Sequence, residues 1–312
     1  MTHTVVSFQP TSMLPPREHL TADLSAPSSV RLSYLDQAPT STTRPRGAIL
    51  LLHGFPQTSY QFRHVIPLLA EQGYRCIVPD YRGAGNSSKP LDQDFRKTTM
   101  AADIIQVLDH LNIKDPVHIV GHDIGGMIAF ALASRHPERV RSVCWGECPL
   151  PGSEMYRKAR TENAVQYFHF IFHCESDLAE ALVSGREKIY VQHFFNKLCH
   201  NLDSFSADDV DLYADAYAQP GAMRCAMDVY RTFETDAREN VTWVKENGKC
   251  SVPTMVTNGE FSPLREGADA MATEVTEHGA VEVGVVEDAA HYLAEENPRG
   301  FANTVLQFVG KH

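Results

Sequence analysis

Several things are scarce or missing in this sequence. Its seven cysteines contain no C-x-x-C pair and are odd in number, which argues against a disulfide framework and for reduced, buried thiols. No apolar run approaches the roughly 20 residues needed to cross a bilayer. Met1 to Asp23 lacks a basic stretch followed by an apolar core, so no secretory leader is expected. Positive charge is short as well: 28 Lys and Arg face 39 Asp and Glu, a formal net charge of −11. That balance argues against nucleic acid or an anionic membrane surface as partner. There is no internal repeat and no low-complexity tract. A soluble, cytoplasmic protein is expected, and a homodimer would be ordinary for such a chain.

At 312 residues, with 43% hydrophobic and 21% charged residues, the chain can form one large α/β domain with an insertion, or two domains. Residues 1–27 carry Pro10, Pro15, Pro16 and Pro27 with little periodicity and are expected to wrap loosely. Val30, Leu32 and Tyr34 alternate with polar residues, as in a half-buried strand. Ala48 to Leu52 is continuously apolar, as in a central parallel strand covered on both faces. A helix from about Ser59 to Gln72, a strand at Arg75 to Val78 and a helix at Thr98 to Leu111 follow, and strands are expected again at 140–145, 252–257 and 281–286. The alternation predicts an α/β fold: a mostly parallel central sheet with helices on both faces. From about 150 to 240 the strand pattern vanishes and the segment reads as an inserted, aromatic helical cap. The expected organisation is a core of 1–149 and 240–312 with a cap at 150–239, and active groups at the carboxyl ends of the strands.

The centre of the pattern is Val117-His118-Ile119-Val120-Gly121-His122-Asp123-Ile124-Gly125-Gly126. A β-branched strand runs into small helical residues, with Asp123 on the turn and glycines two positions to either side, where a sharp turn leaves no room for a Cβ. This is a nucleophile elbow. Its usual serine is replaced by aspartate, which forms an alkyl ester with a saturated carbon rather than an acyl-enzyme. Epoxides and alkyl halides are the electrophiles that suit it.

Such a scheme needs a base to activate water against the ester, and His291, after the last strand, fits that order. Three carboxylates could orient it: Glu147, after the strand at 140–145; Glu260, in Asn258-Gly259-Glu260-Phe261-Ser262, where an aspartate might stand at Ser262; and Asp288. Glu147 is preferred. The loop His53-Gly54-Phe55-Pro56-Gln57 should present the Phe55 N–H, with that of Ile124, to the oxygen of the tetrahedral intermediate, while His53 holds the loop. Opening an epoxide also needs a donor facing Asp123 from the cap. The candidates are His169 and Tyr230, among further tyrosines at 156, 167, 190, 213 and 217. Phe55, Phe170 and Ile171 are the expected apolar pocket.

These residues resemble the epoxide hydrolase branch of the α/β-hydrolases over essentially the whole chain after about residue 28, and the Cif-type bacterial enzymes most closely. Gly121-His122-Asp123-Ile124-Gly125 is similar to their elbow, with isoleucine in place of the usual tryptophan, and Glu147-Cys148-Pro149-Leu150-Pro151 to the segment that supplies the orienting acid. Phe168-His169-Phe170 and Val229-Tyr230-Arg231 resemble the cap segments that open the ring. The resemblance implies an α/β-hydrolase fold, a His169 and Tyr230 donor pair, a small apolar epoxide and water as substrates, and no metal or organic cofactor. The secreted Cif proteins have a leader that this sequence lacks. Fluoroacetate dehalogenases share H-G-F-P-Q and the cap histidine and tyrosine, but Ile124 and Met127 stand where their arginines bind a carboxylate, and Phe170 replaces their halide-holding tryptophan. A hydrolytic dehalogenase is therefore the alternative, and a non-catalytic ligand receptor a second one.

Overall fold

The structure is a computed structural model that describes residues 18–25, 29–40 and 45–312. In chain order the strands and helices begin with β1 (Leu20–Asp23), β2 (Arg31–Gln37), β3 (Gly47–Leu52), α1 (Val65–Glu71), β4 (Tyr74–Pro79), α2 (Lys97–His110), β5 (Val117–His122), α3 (Ile124–Arg135) and β6 (Val140–Gly146). A helical stretch follows: α4 (Glu154–Arg160), α5 (His169–Phe172), α6 (Ser176–Val183), α7 (Glu187–Leu198), α8 (Ala207–Ala218), α9 (Ala222–Arg231) and α10 (Phe233–Asn247). The chain then closes with β7 (Thr254–Gly259), α11 (Ala268–Val275), β8 (Val281–Val286), α12 (Leu293–Glu296) and α13 (Pro298–Val309).

The eight strands form one sheet in the order β1-β2-β4-β3-β5-β6-β7-β8. β1 and β2 pair antiparallel, as do β2 and β4, and every pairing from β4 onward is parallel. The continuous apolar run of β3 splits by its two-residue period. Leu50 and Leu52 join the core beneath α2, α3 and the helical stretch, while Ile49 and Leu51 join the core beneath α1 and α13. The chain reverses its direction across the sheet at β3, flanked by β4 and β5. That is where an open sheet of this kind leaves a crevice at its strand ends.

Several elements differ from the sequence expectation. Leu20 to Asp23 is a strand against β2, with Ala22 fully buried, although proline content suggested loose wrapping for residues 1–27; the rest of that stretch, apart from residues 18–19 and 24–25, lies outside the described residues. The helix expected from Ser59 starts with a separate 3₁₀ turn, Ser59–Phe62, and is helical only from Val65. β7 begins at Thr254 rather than at Val252, because Pro253 has no N–H to give to a ladder. The boundary expected between residues 239 and 240 falls inside α10. Among the described residues no helix is long and apolar enough to cross a membrane.

Candidate active site

Asp123 sits at φ 53°, ψ −119°, a conformation that costs an aspartate on the order of 1–3 kcal/mol and persists only where the surroundings enforce it. They do so by contact. A Cβ on Gly121 would lie 2.2 Å from the Gly125 carbonyl oxygen, and one on Gly125 would lie 2.1 Å from that of Leu52. The turn is thereby pressed against the end of β3, and the Asp123 carboxylate meets the loop that follows that strand. Phe55 N–H donates to Asp123 Oδ1 at 2.9 Å, and the Ile124 N–H also bonds the carboxylate. Burial nonetheless pushes the Asp123 carboxyl up from its ordinary value, against the pull of His291 and the two N–H groups.

Glu147, directly after β6, also adopts a positive φ, 56°, which turns its side chain along the strand ends toward β8. Its Oε2 lies 3.0 Å from His291 Nδ1 and accepts from Ser262 Oγ at 2.8 Å; its Oε1 accepts from Gly259 N–H at 2.9 Å and Asn258 Nδ2 at 3.1 Å. Four partners on one buried carboxylate hold its side chain in place. Burial works against a charged imidazole, but the hydrogen bond and charge of Glu147, with Asp123 and Glu296 beyond it, leave His291 raised above the ordinary histidine value. Of the other two acids, Glu260 is exposed and accepts the Asp288 N–H, and Asp288 is exposed in its loop. The position where an aspartate might have oriented His291 carries Ser262, which instead braces Glu147.

His53 is fully buried, stacked on Tyr81 with ring centroids 4.2 Å apart, with Nδ1 3.0 Å from the Gly54 carbonyl oxygen and Nε2 3.7 Å from Asp80. It holds its loop from behind. Gln57, from the same loop, donates to Tyr213 and Glu295, and the Tyr217 hydroxyl donates to the Gln57 carbonyl at 3.1 Å.

On the helical side His169 opens α5 and Tyr230 stands near the end of α9, their rings 5.6 Å apart. The tyrosines separate by their partners. Tyr156 donates to Glu234, Tyr190 pairs with His173, Tyr213 donates to Glu295, and Tyr217 donates to Gln57 while bonded to Tyr81. The Tyr167 and Tyr230 hydroxyls have no such partner among the described residues, and of these two it is Tyr230 that lies close enough to Asp123 to feel its charge. Burial first, then Asp123, pushes this phenol well up, so it keeps its proton. Burial, then His173, depresses His169 well below the ordinary value, so it acts as a neutral imidazole. Phe55 and Phe170 pack on Tyr230 at 5.8 and 5.7 Å. Ile171 is a correction: it is 46% exposed, because two residues along a helix from His169 is 200° around it, on the outer side. His173, four residues on, is the ring that turns inward, 4.4 Å from Tyr230. Sequence reasoning passed over it, although the i, i+4 spacing marks the shared face.

Among the described residues no three His, Cys, Asp or Glu side chains converge as the ligands of a metal ion would. The arrangement is a buried carboxylate under two N–H donors, a braced imidazole beside it, and a protonated phenol with a neutral imidazole opposite. A family model described as alpha/beta hydrolase fold matches residues 47–298. The chain belongs to the α/β-hydrolase fold family. This α/β-hydrolase chain is 34% identical over 266 residues to a soluble epoxide hydrolase from Corynebacterium sp. strain C12, a match covering 83% of the chain and 89% of the relative. It is 25% identical to a haloalkane dehalogenase from Psychrobacter cryohalolentis, over 93% of the chain and 91% of that protein. Among solved structures, the epoxide hydrolase CorEH without ligand superposes with a TM-score of 0.83 at 29% identity, over 94% of this chain and 99% of that one.

Proposed function

We propose that this α/β hydrolase is an epoxide hydrolase that opens an oxirane to a vicinal diol through an ester on Asp123, with the helices between β6 and β7 serving as a cap over the site. The observation that carries the reading is the Tyr230 hydroxyl, protonated, without another partner and near an aspartate nucleophile. A ring oxygen is the leaving group that needs such a donor.

In the first step one Asp123 oxygen attacks an oxirane carbon, the C–O bond of the ring breaks, and the oxygen takes its proton from the Tyr230 and His169 pair. In the second, His291 removes a proton from water and the hydroxide adds to the Asp123 carboxyl carbon. The oxyanion so formed rests on the Phe55 and Ile124 N–H groups, which already hold the carboxylate. Collapse breaks the ester bond to the former Asp123 oxygen, which leaves with the diol and takes the proton from His291, while the second proton of the water, left on the Asp123 carboxyl, returns to the Tyr230 and His169 pair and replaces the one given in the first step. Glu147 orients the imidazole and stabilises its charged form. A haloacid fits less well, since Ile124 and Met127 are buried and apolar and offer nothing to its carboxylate.

The test is His291→Gln incubated separately with epoxides and with haloalkanes and haloacids, read by intact mass. Ring opening predicts a gain equal to the whole epoxide, absent when Asp123→Asn is added. A gain equal to the organic halide less hydrogen halide would make the chain a dehalogenase and sink the proposal.

A further inference from the structure

The backbone around His291 is tied down on both sides. Its own N–H donates to the Leu198 carbonyl at 3.2 Å, and its carbonyl oxygen lies 2.7 Å from His122 Nε2. The flanking N–H groups of Ala290 and Tyr292 both donate to Oε1 of Glu296, at 3.2 and 2.9 Å. The other oxygen of Glu296 accepts the N–H groups of His200 and Asn201, at 2.6 and 3.0 Å. Leu198, His200 and Asn201 lie where α7 ends and the chain crosses to α8. One buried carboxylate therefore spans two pieces of chain that are about 95 residues apart, two N–H groups from each.

Glu296 is the last residue of α12, and only its bond from Tyr292, the residue before that helix, meets its own helix start; the bonds from Ala290, His200 and Asn201 go outside it. Four hydrogen bonds fill the acceptor capacity of this carboxylate, and both of its oxygens are committed. The crossing it grips also leads into α8, whose Tyr217 reaches the Gln57 carbonyl two residues beyond Phe55. The seating of the helical segment is thus felt on both sides of Asp123.

We propose that Glu296 is a positioning residue that locks the His291 loop to the α7–α8 crossing, so that the imidazole reaches the hydrolytic water only while the helices are seated. The inference rests on reading Asp123 as nucleophile and His291 as base. Its consequence is confined to one step, because ester formation needs Asp123 and the ring-opening donors, whereas ester hydrolysis needs His291. In Glu296→Gln the amide nitrogen faces two N–H groups whichever way it turns, and a negative charge that supports the His291 imidazolium is gone.

The experiment compares wild type, Glu296→Gln, Glu296→Asp and the control Glu282→Gln, an exposed acid on β8 paired with Lys311. Single-turnover mass spectrometry with styrene oxide and with 1,2-epoxyoctane follows the adduct, and NMR of labelled histidine follows the His291 titration. Expected is an adduct that forms within about threefold of the wild-type rate but is lost about tenfold more slowly, with a lower His291 midpoint in Glu296→Gln. Glu296→Asp, which keeps the charge but not the span, should show slow adduct loss with the midpoint held, and it carries the test if the glutamine variant does not fold. Equal slowing of both steps with an unmoved midpoint would overturn the proposal and leave Glu296 a fold residue. No adduct in wild type would instead defeat the epoxide reading. The lock would then be decided without substrate by amide exchange: the Ala290, Tyr292, His200 and Asn201 amides accelerate together if it exists, and acceleration of the first two alone would refute it.

Discussion

Asp123, Glu147 and His291, at the strand ends, are held by main-chain N–H groups or by bonds to the main chain on either side, whereas His169 and Tyr230, on the helices opposite, are held by rings. The carboxylates at the sheet end have assigned donors: Phe55 and Ile124 for Asp123, Gly259, Asn258 and Ser262 for Glu147. At the helical end Tyr230 is enclosed by Phe55, Phe170, His173 and Phe233, and the buried Nδ1 atoms of His169 and His173 have no hydrogen-bond partner among the described residues. Backbone donors fix direction and distance, while ring packing fixes position and leaves orientation softer. The sheet end can serve a single bond-making geometry; the helical end can accommodate ring oxygens that arrive at different angles. Asp123, His291 and His169 are each under a tenth exposed, so a substrate must displace something to enter, and the ring-held side has fewer hydrogen bonds to break.

If this contrast is right, the largest loss should come at the sheet end. Asp123→Asn should lower turnover by about 10⁴-fold or more and abolish the adduct on an epoxide. An adduct that survived would place the nucleophile elsewhere. Glu147→Gln should cost about 10²–10⁴-fold in turnover and move the pH profile. As the proposed base His291 must be neutral, and its pKa is raised above the ordinary 6.5, so wild-type hydrolysis should fail as the pH drops through that raised value. Without the Glu147 charge the imidazole protonates less readily, and the acid limb should shift to lower pH. A limb that stayed in place would mean that another group sets it.

Tyr230→Phe and His169→Gln should cost less, about 10–100-fold each in adduct formation, and leave adduct loss unchanged. If, as proposed, both donate to one oxygen, the double variant should lose less than the product of the two. Multiplicative losses would show separate roles and dissolve the idea of an adaptable pair.

The same contrast decides what could be read in advance. The elbow was legible because three signals coincide within ten residues: a β-branched strand, flanking glycines and a small-residue helix. β8 was legible over its whole length, Val281–Val286, and the position of His291 beyond it followed from the order of the strands. The choice between Glu147 and Glu260 was not fixed by residue type, since both are glutamates just past a strand; the positive φ of Glu147 and three donors from distant positions separate them. Glu296 was invisible because its partners are backbone amides, which carry no sequence signature. Among seven candidate tyrosines and histidines in the helical segment, selection depends on which hydroxyls are already spoken for, a tertiary property. Ile171 and His173 could not be sorted in the sequence because a helix of four residues is too short to show its phase. β1 escaped notice because four residues are too short for a period to stand out from neighbouring prolines.

The smallest effect expected is the sharpest probe of the helical end. Tyr190 lies behind the donors, with its hydroxyl 2.6 Å from Nε2 of His173, and His173 is buried against both Tyr230 and Phe55. Burial depresses His173 to about 3, so it is neutral at working pH and the bond is not an ion pair. Tyr190→Phe leaves a ring of nearly the same shape but removes the hydrogen-bond partner of a buried imidazole, at a cost of about 1–3 kcal/mol to stability. That is a fall of a few degrees in Tm for a chain of this size. If rings alone position Tyr230, adduct formation should change by less than about threefold, because the packing against Tyr230 is kept. A loss as large as that of Tyr230→Phe would show that the helical end, like the sheet end, is aimed by a chain of hydrogen bonds, and the distinction between the two ends would collapse.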